Sequence, residues 1–281
     1  MFDVTMTDMR AALDSFKIED DSILLTHSSL KSPGLTEGGA DGIIKAIFDT
    51  VPNGTVVFPT LSQKNWNTVY EDWTLDRPSD VGTVSETFRA KYATHRSNNA
   101  THSVAAAGKF AKEITDGHDL PPIRYGLFGD YTFSINSPWQ RMFDSRQNYG
   151  VRSYVLFWGV TMRCNTFKHF SEYRFVNDLL CAIKDNKRRE EVKSLLSHYP
   201  YNASAPDFLW PFYSSEEFMK VLENDGLLRK VKLGKSSLIL CDVYDATSRV
   251  DVALRQSPEE FVTPPQMLRW VKIAQEAAKC E

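Results

Sequence analysis

Long apolar runs are missing from this chain. No stretch approaches the roughly 18 to 20 consecutive apolar residues needed to span a bilayer, so no membrane partner is expected. The opening MFDVTMTDMRAALDSFKIEDD carries acids among its first turns and no apolar block, unlike a secretory leader, and a cytoplasmic setting is expected. Cysteine is scarce. Cys164, Cys181, Cys241 and Cys280 stand far apart, which excludes a disulfide framework and favours reduced thiols. No His, Asp or Glu cluster has ligand spacing, so no metal is expected. Charge of one sign is absent too: 33 Lys+Arg face 36 Asp+Glu for a net charge of -3, and nothing in bulk charge draws the chain to nucleic acid. There is no P-loop and no GxGxxG fingerprint, so the usual nucleotide motifs do not apply. Repeats and low-complexity tracts are lacking. The 281 residues, 42% hydrophobic, suffice for a sizeable core, and one domain over 1–281 is expected, as monomer or homodimer.

What is present is organised around Leu24 to Gly39, LLTHSSLKSPGLTEGG. Ile23, Leu24 and Leu25 end a short apolar strand, and the chain breaks into loop at His27, Ser28, Ser29, Leu30, Lys31 and Ser32. Helical spacing resumes at Ile43, Ile44, Ala46, Ile47 and Phe48. A strand that passes through small polar residues into a helix can turn backbone N–H groups towards an anion. An ordinary strand-to-helix turn has the same composition.

Apolar positions at Met9, Ala12, Leu13 and Phe16 predict an opening helix. TVVF, Thr55 to Phe58, predicts a second buried strand, and strand–helix–strand predicts a parallel pair. Asn65 to Asp80 is a polar, aromatic loop of a length that is usually functional. A helix follows over Val81 to Tyr92, with Thr83 and Glu86 at capping-box spacing. Val104 to Gly108 predicts a small-residue strand, and YVLFWGV, Tyr154 to Val160, a buried one. The helix after it carries His169 and Glu172 three apart, on one face. A hairpin over Leu227 to Leu233 and Ser237 to Val243 and two helices complete the chain.

Six separated segments, in order, resemble the aminoglycoside 3-N-acetyltransferase (antibiotic N-acetyltransferase) family. They are THSSLKSPG with GGAD, GTVVFPTLS, RPSDVGTVSETFR, RSNNATHSVAAAG with His118 downstream, the SPW segment, and FWGVTMRCNTFKHFSEY. The strand–strand–helix tail over Gly226 to Leu254 is similar as well. The resemblance implies an α/β fold with a central mixed sheet flanked by helices and a smaller antiparallel part, distinct from the GNAT fold. It implies acetyl-CoA as cosubstrate and a small-molecule amine as acceptor. It also places Ser28, Ser29, Leu30 and Lys31 on the CoA phosphates, with Val81, Gly82, Thr83, Glu86, Arg89, Ser97, His102 and Ser103 along the rest of the CoA tunnel, beside Asp80.

Amide formation from a thioester needs a neutral amine, a polarised carbonyl, a stabilised oxyanion and a leaving thiolate. Histidine is the natural base. By spacing alone, His169 and Glu172 make a surface pair; the family motif makes His169 the base, with Glu172 orienting it or holding the substrate ammonium. His102 is the rival base. Thr60, ending the second strand, is placed to hydrogen-bond the carbonyl or the amine, or merely caps a turn. Trp66, Tyr70 and Trp73 suit stacking on a sugar, or plain loop packing, and Asp76 is a candidate acid for an amine. Two departures stand out. The family's usual His-Pro before Thr-His-Ser is Asn99-Ala100 here, which bears on that turn. No late acidic cluster suits a polycation, which favours an amino sugar or related metabolite over an aminoglycoside antibiotic as acceptor. A non-catalytic CoA-binding member is the remaining alternative.

Overall fold

Three strongly apolar strands lie side by side because each is buried on both faces, the condition that favours near-continuous runs of Val, Ile, Leu and Phe. The structure, a computed structural model, describes residues 2–62, 72–118, 132–198 and 213–279. In chain order its first half contains α1 (Met6–Asp14), β1 (Ile23–Ser28), α2 (Gly39–Thr50), β2 (Thr55–Pro59), α3 (Thr83–Lys91), β3 (His95–Arg96), β4 (Val104–Gly108), α4 (Ala111–Thr115), α5 (Pro138–Phe143) and α6 (Ser145–Asn148). The second half contains β5 (Ser153–Trp158), α7 (Phe167–Cys181), α8 (Asn186–Ser194), α9 (Ser215–Asn224), β6 (Arg229–Leu233), β7 (Ser236–Asp242), α10 (Val243–Gln256), α11 (Pro258–Phe261) and α12 (Pro265–Lys279).

The seven strands form one mixed sheet in the order β3-β4-β2-β1-β5-β7-β6. β1 runs parallel to β2 and to β5, with Leu24 opposite Val56 on one side and Tyr154 on the other. Both flanks are antiparallel: β4 and β3 at one edge, the β6–β7 hairpin at the other. Alternation along the central strands feeds two apolar layers. Leu24, Val56 and Leu156 face α1, α2 and α3, whereas Leu25, Val57, Val155 and Phe157 face the layer that holds α5, α7, α10 and α12. This is the α/β mixed-sheet architecture with antiparallel parts that the family resemblance implies.

Two local details differ from the sequence expectation. β1 continues through His27 to Ser28 instead of breaking after Thr26, because β5 pairs with it residue for residue from Ile23↔Ser153 to Ser28↔Trp158. The Thr83–Glu86 capping box does not form. Gly82 is the N-cap of α3, with φ 132° that a side chain would disfavour, and the Glu86 carboxylate turns instead to the Ser79 N–H at 2.7 Å and to Arg89. A true capping box sits unexpectedly at α1, between Thr5 and Asp8.

Candidate active site

The carboxyl ends of β1, β2 and β5 open into a cavity of about 290 Å³. β1 leaves with helix α2 towards β2 on one side and has β5 on the other, so the cavity lies where ligands bind in open α/β sheets. His27 and Ser28 at the end of β1, Pro59 and Leu61 around the end of β2, and Val81 and Ser85 at the start of α3 form one part of its lining. His102, the turn after β5 (Val160, Arg163, Cys164, Asn165, Thr166) and His169 form the rest. Gly82, between the lining residues Val81 and Ser85, passes close to the end of β1: a Cβ there would lie 3.9 Å from the Ser28 carbonyl.

His169 is set by the start of α7. The Asn165 side-chain oxygen accepts from the Phe167 N–H at 3.1 Å, and the His169 N–H donates to the Thr166 carbonyl. Phe167, Phe170, Phe175 and Val176 drive the buried face of this helix. One turn on, Glu172 is fully buried, so the pair is not on the surface. His169 Nδ1 lies 2.8 Å from Glu172 Oε2, and the Tyr213 N–H donates to Oε1 at 3.1 Å. A buried carboxylate survives when such bonds satisfy it. Glu172 thus lies against the imidazole and is not part of the cavity lining.

His102 packs edge-on to His169 at 5.5 Å between ring centroids, with Phe133 against both rings. Burial, then the neighbouring His169 and His118, hold His102 well below the usual imidazole range. The turn that carries it survives the Asn99-Ala100 departure: Asn99 Oδ1 accepts from the N–H groups of Thr101 and His102 and from the Thr101 hydroxyl. His118 behind it is pushed down to about 3 by burial; it bonds Ser97 Oγ through Nδ1 and the Thr132 carbonyl through Nε2. His27, stacked on Phe157, is likewise pushed down to about 3.

Several expected site residues lie off the cavity. Thr60 is fully buried, and its hydroxyl meets Ser103 Oγ at 3.1 Å and Arg96 Nε at 3.2 Å, while its neighbours Pro59 and Leu61 face the cavity. Ser103 donates to the Thr60 carbonyl and Ser97 accepts from the Val104 N–H, so both serines bind the fold and not a tunnel wall. Glu86 and Arg89 are locked in a two-bonded pair, and Thr83 is absent from the lining. Ser29 accepts from Ser32, Leu30 packs on the core, and Lys31 is exposed; of that loop only Ser28 reaches the cavity. In the turn towards α2, Asp3 already accepts from the Leu35 N–H at 2.7 Å. Trp73 is no platform for a sugar: its ring is covered by Arg96 at 4.7 Å and its N–H donates to Asn98. Asp76 is exposed, its carboxyl held low first by Thr74. Trp66 and Tyr70 lie outside the described residues. The lining stretch Arg163 to Thr166 carried no expectation, since a turn after Gly159 has no periodicity to reveal it; its place in the FWGVTMRCNTF segment was the available signal. Among the described residues no His, Cys, Asp and Glu group could hold a metal ion, and no helix is long and apolar enough to cross a membrane.

The lining combines small polar side chains, Ser28 and Ser85, with apolar Pro59, Leu61, Val81 and Val160, and Arg163 is its charged member among the described residues. The model of the aminoglycoside 3-N-acetyltransferase family matches residues 25–255. The chain is 28% identical over 258 residues to a prophage-derived aminoglycoside N(3')-acetyltransferase-like protein of Bacillus subtilis (strain 168), covering 82% of this chain and 84% of that protein. Among solved structures, the aminoglycoside acetyltransferase AAC(3)-IVa apoenzyme superposes with a TM-score of 0.66 at 23% identity, covering 98% of both chains. The AAC-IIIb binary complex with CoASH superposes with a TM-score of 0.64 at 19% identity, over 92% of this chain and 98% of that one. The chain belongs to the aminoglycoside 3-N-acetyltransferase family, acyltransferases that take acetyl-CoA as cosubstrate.

Proposed function

We propose that this protein moves an acetyl group directly from acetyl-CoA to a primary amine of an amino-sugar or aminocyclitol acceptor, with His169 as general base. The observation that carries the reading is the buried Glu172 bonded to His169 Nδ1 at 2.8 Å, in a cavity at the carboxyl ends of parallel strands. Nε2 then takes a proton from the amine nitrogen as its lone pair attacks the thioester carbonyl carbon. The C–N bond forms while the carbonyl electrons move to oxygen. On collapse the C–S bond breaks, and the proton passes from Nε2 to the departing CoA thiolate. Cys164 has no part in this path, since burial raises its thiol and a thiolate is the nucleophile.

Aminoglycosides are the first acceptors to test, because the family and the B. subtilis relative carry that name. A second acceptor class is favoured by one observation: the charged cavity-lining side chain among the described residues is Arg163, not a carboxylate. That suits an amino sugar bearing an anionic group, such as a nucleotide-linked one. The test is thiol release from acetyl-CoA with deoxystreptamine aminoglycosides in one panel and nucleotide-linked amino sugars in another. With whichever acceptor turns over, His169→Ala is expected to lower kcat by about a hundredfold or more with KM for acetyl-CoA little changed. A near-normal kcat in that variant would remove His169 from the role.

A further inference from the structure

Buried polar atoms without a partner are few in a folded chain, and each calls for a reason. Among the described residues they belong to Thr26, His27, Trp139, Arg146, Trp158 and Asp251. Of these, His27 alone lines the cavity. It is 6% exposed, and its Nε2 has no partner in the chain. The register of β1 on β5 sets it opposite Phe157, and its ring lies flat on that phenyl ring, with 5.6 Å between centroids and 11° between planes. His118 shows how a buried histidine is held when its role is structural: it has Ser97 Oγ on Nδ1 and the Thr132 carbonyl on Nε2. Stacking on Phe157 needs an aromatic ring but no ring nitrogen, and a phenylalanine at position 27 would stack without stranding a polar atom. Packing therefore accounts for the ring of His27 and leaves its nitrogen unexplained.

We propose that His27 is a binding residue for acetyl-CoA, its imidazole hydrogen-bonded to an amide of the pantetheine arm. The inference rests on acetyl-CoA as cosubstrate and not on His169 as base, so the two readings fail separately. The lining residues on β1, after β2 and at the start of α3 are Ser28, Pro59, Leu61, Val81 and Ser85, none of them charged, whereas Arg163 comes from the turn after β5. The pantetheine arm is the uncharged part of acetyl-CoA, a run of apolar carbons broken by two amides, each with an N–H and a carbonyl. A neutral imidazole has one N–H and one lone pair, so it can pair with either edge of an amide. Burial keeps His27 neutral, pushed down to about 3, and the bond needs no charge on the ring. Acetyl-CoA thus supplies the partner that the fold does not.

The test needs no acceptor, and it splits CoA into its two halves. Histidine ring nitrogens of the ¹⁵N-labelled full chain are followed by NMR, with His27 assigned through His27→Gln. Pantetheine is expected to move the His27 signals, and adenosine 3′,5′-diphosphate, the nucleotide half, to leave them in place. By calorimetry His27→Phe is expected to weaken CoASH binding about tenfold, the scale of one hydrogen bond lost from a desolvated group, while adenosine 3′,5′-diphosphate binds within twofold of wild type. His27→Phe with CoASH binding within twofold of wild type overturns the proposal. An equal loss for CoASH and for the nucleotide half overturns it too, since His27 would then support the end of β1 and not the arm. His27 signals that pantetheine leaves unmoved overturn it on the wild-type chain alone, whether or not His27→Phe folds.

Discussion

At the scale of single residues, Glu172 has an acceptor role on both of its oxygens. In the proposed site Oε2 accepts from His169 Nδ1–H, and Oε1 accepts from the Tyr213 N–H. A glutamine at this position has one acceptor and one donor end. If its oxygen serves His169, its amide faces the Tyr213 N–H, donor against donor. If its oxygen serves Tyr213, its amide donates to His169 Nδ1 and drives the proton to Nε2, where a base needs its lone pair. Either way the site loses, and the second outcome leaves geometry intact with the wrong tautomer. Glu172→Gln is therefore expected to lower kcat about a hundredfold or more while the chain remains folded, measured by thiol release alongside far-ultraviolet circular dichroism. A variant within threefold of wild type would show that the carboxylate is not needed to orient the imidazole.

At the scale of elements, one guanidinium joins the segment 72–80 to two strands at once, beside the bonds that Ser79 and Asp80 give to the Leu61 carbonyl. Arg96 on β3 donates from Nη2 to the Thr60 carbonyl at 2.7 Å and from Nη1 to the carbonyls of Leu75 and Arg77, while its plane lies over Trp73. This fork ties β2, the segment after it and β3 into one wall, and Pro59 and Leu61 of that wall line the cavity. Lysine has a single nitrogen and cannot span both sets of carbonyls. Arg96→Lys is expected to cost about 1–3 kcal/mol in urea denaturation, the scale of leaving a buried carbonyl unpaired. It is also expected to raise KM for acetyl-CoA more than it lowers kcat. The same residues show how far the sequence could be read. The central strands, the parallel pair and the His169–Glu172 spacing were legible because they are local patterns, short apolar runs or a spacing of one helical turn, whereas the two-residue β3 was not. The roles of Trp73 and Thr60 were not, because Arg96, which occupies both, lies 23 and 36 residues away in the chain. Glu172 looked like half of a surface pair, and its bond from the Tyr213 N–H, 41 residues on, has no local signal. Sequence spacing orders neighbours along an element; it does not reveal what a distant segment places over them.

For the whole molecule, the consequence of burying imidazoles is a stability that falls early on acidification. His27 and His118 are pushed down to about 3 by burial, and His102 well below its usual range. In the unfolded chain each takes a proton near pH 6.5. Between that pH and the depressed folded values, the unfolded state binds protons that the native state refuses, so stability is complete above 6.5 and declines as pH falls. Three such groups acting together decline at about 4 kcal/mol per pH unit, against a total of about 5–15 kcal/mol for a native domain. The buried Asp251 works in the opposite direction, since burial raises its carboxyl and the native state takes that proton first; it offsets part of the loss below its raised value. Carboxyls held low, such as Glu86 beside Arg89 and Asp41 beside Tyr92, add their own loss only at lower pH, below their ordinary values near 4. The window from pH 6.5 to about 5 thus belongs to the histidines. Urea unfolding across that window is expected to show stability falling with an uptake of two to three protons, and spontaneous unfolding is expected between about pH 4 and 5. Stability flat from pH 7 to 5 would mean that these imidazoles accept protons inside the fold, and that the neutral polar network under the cavity is not what holds it together.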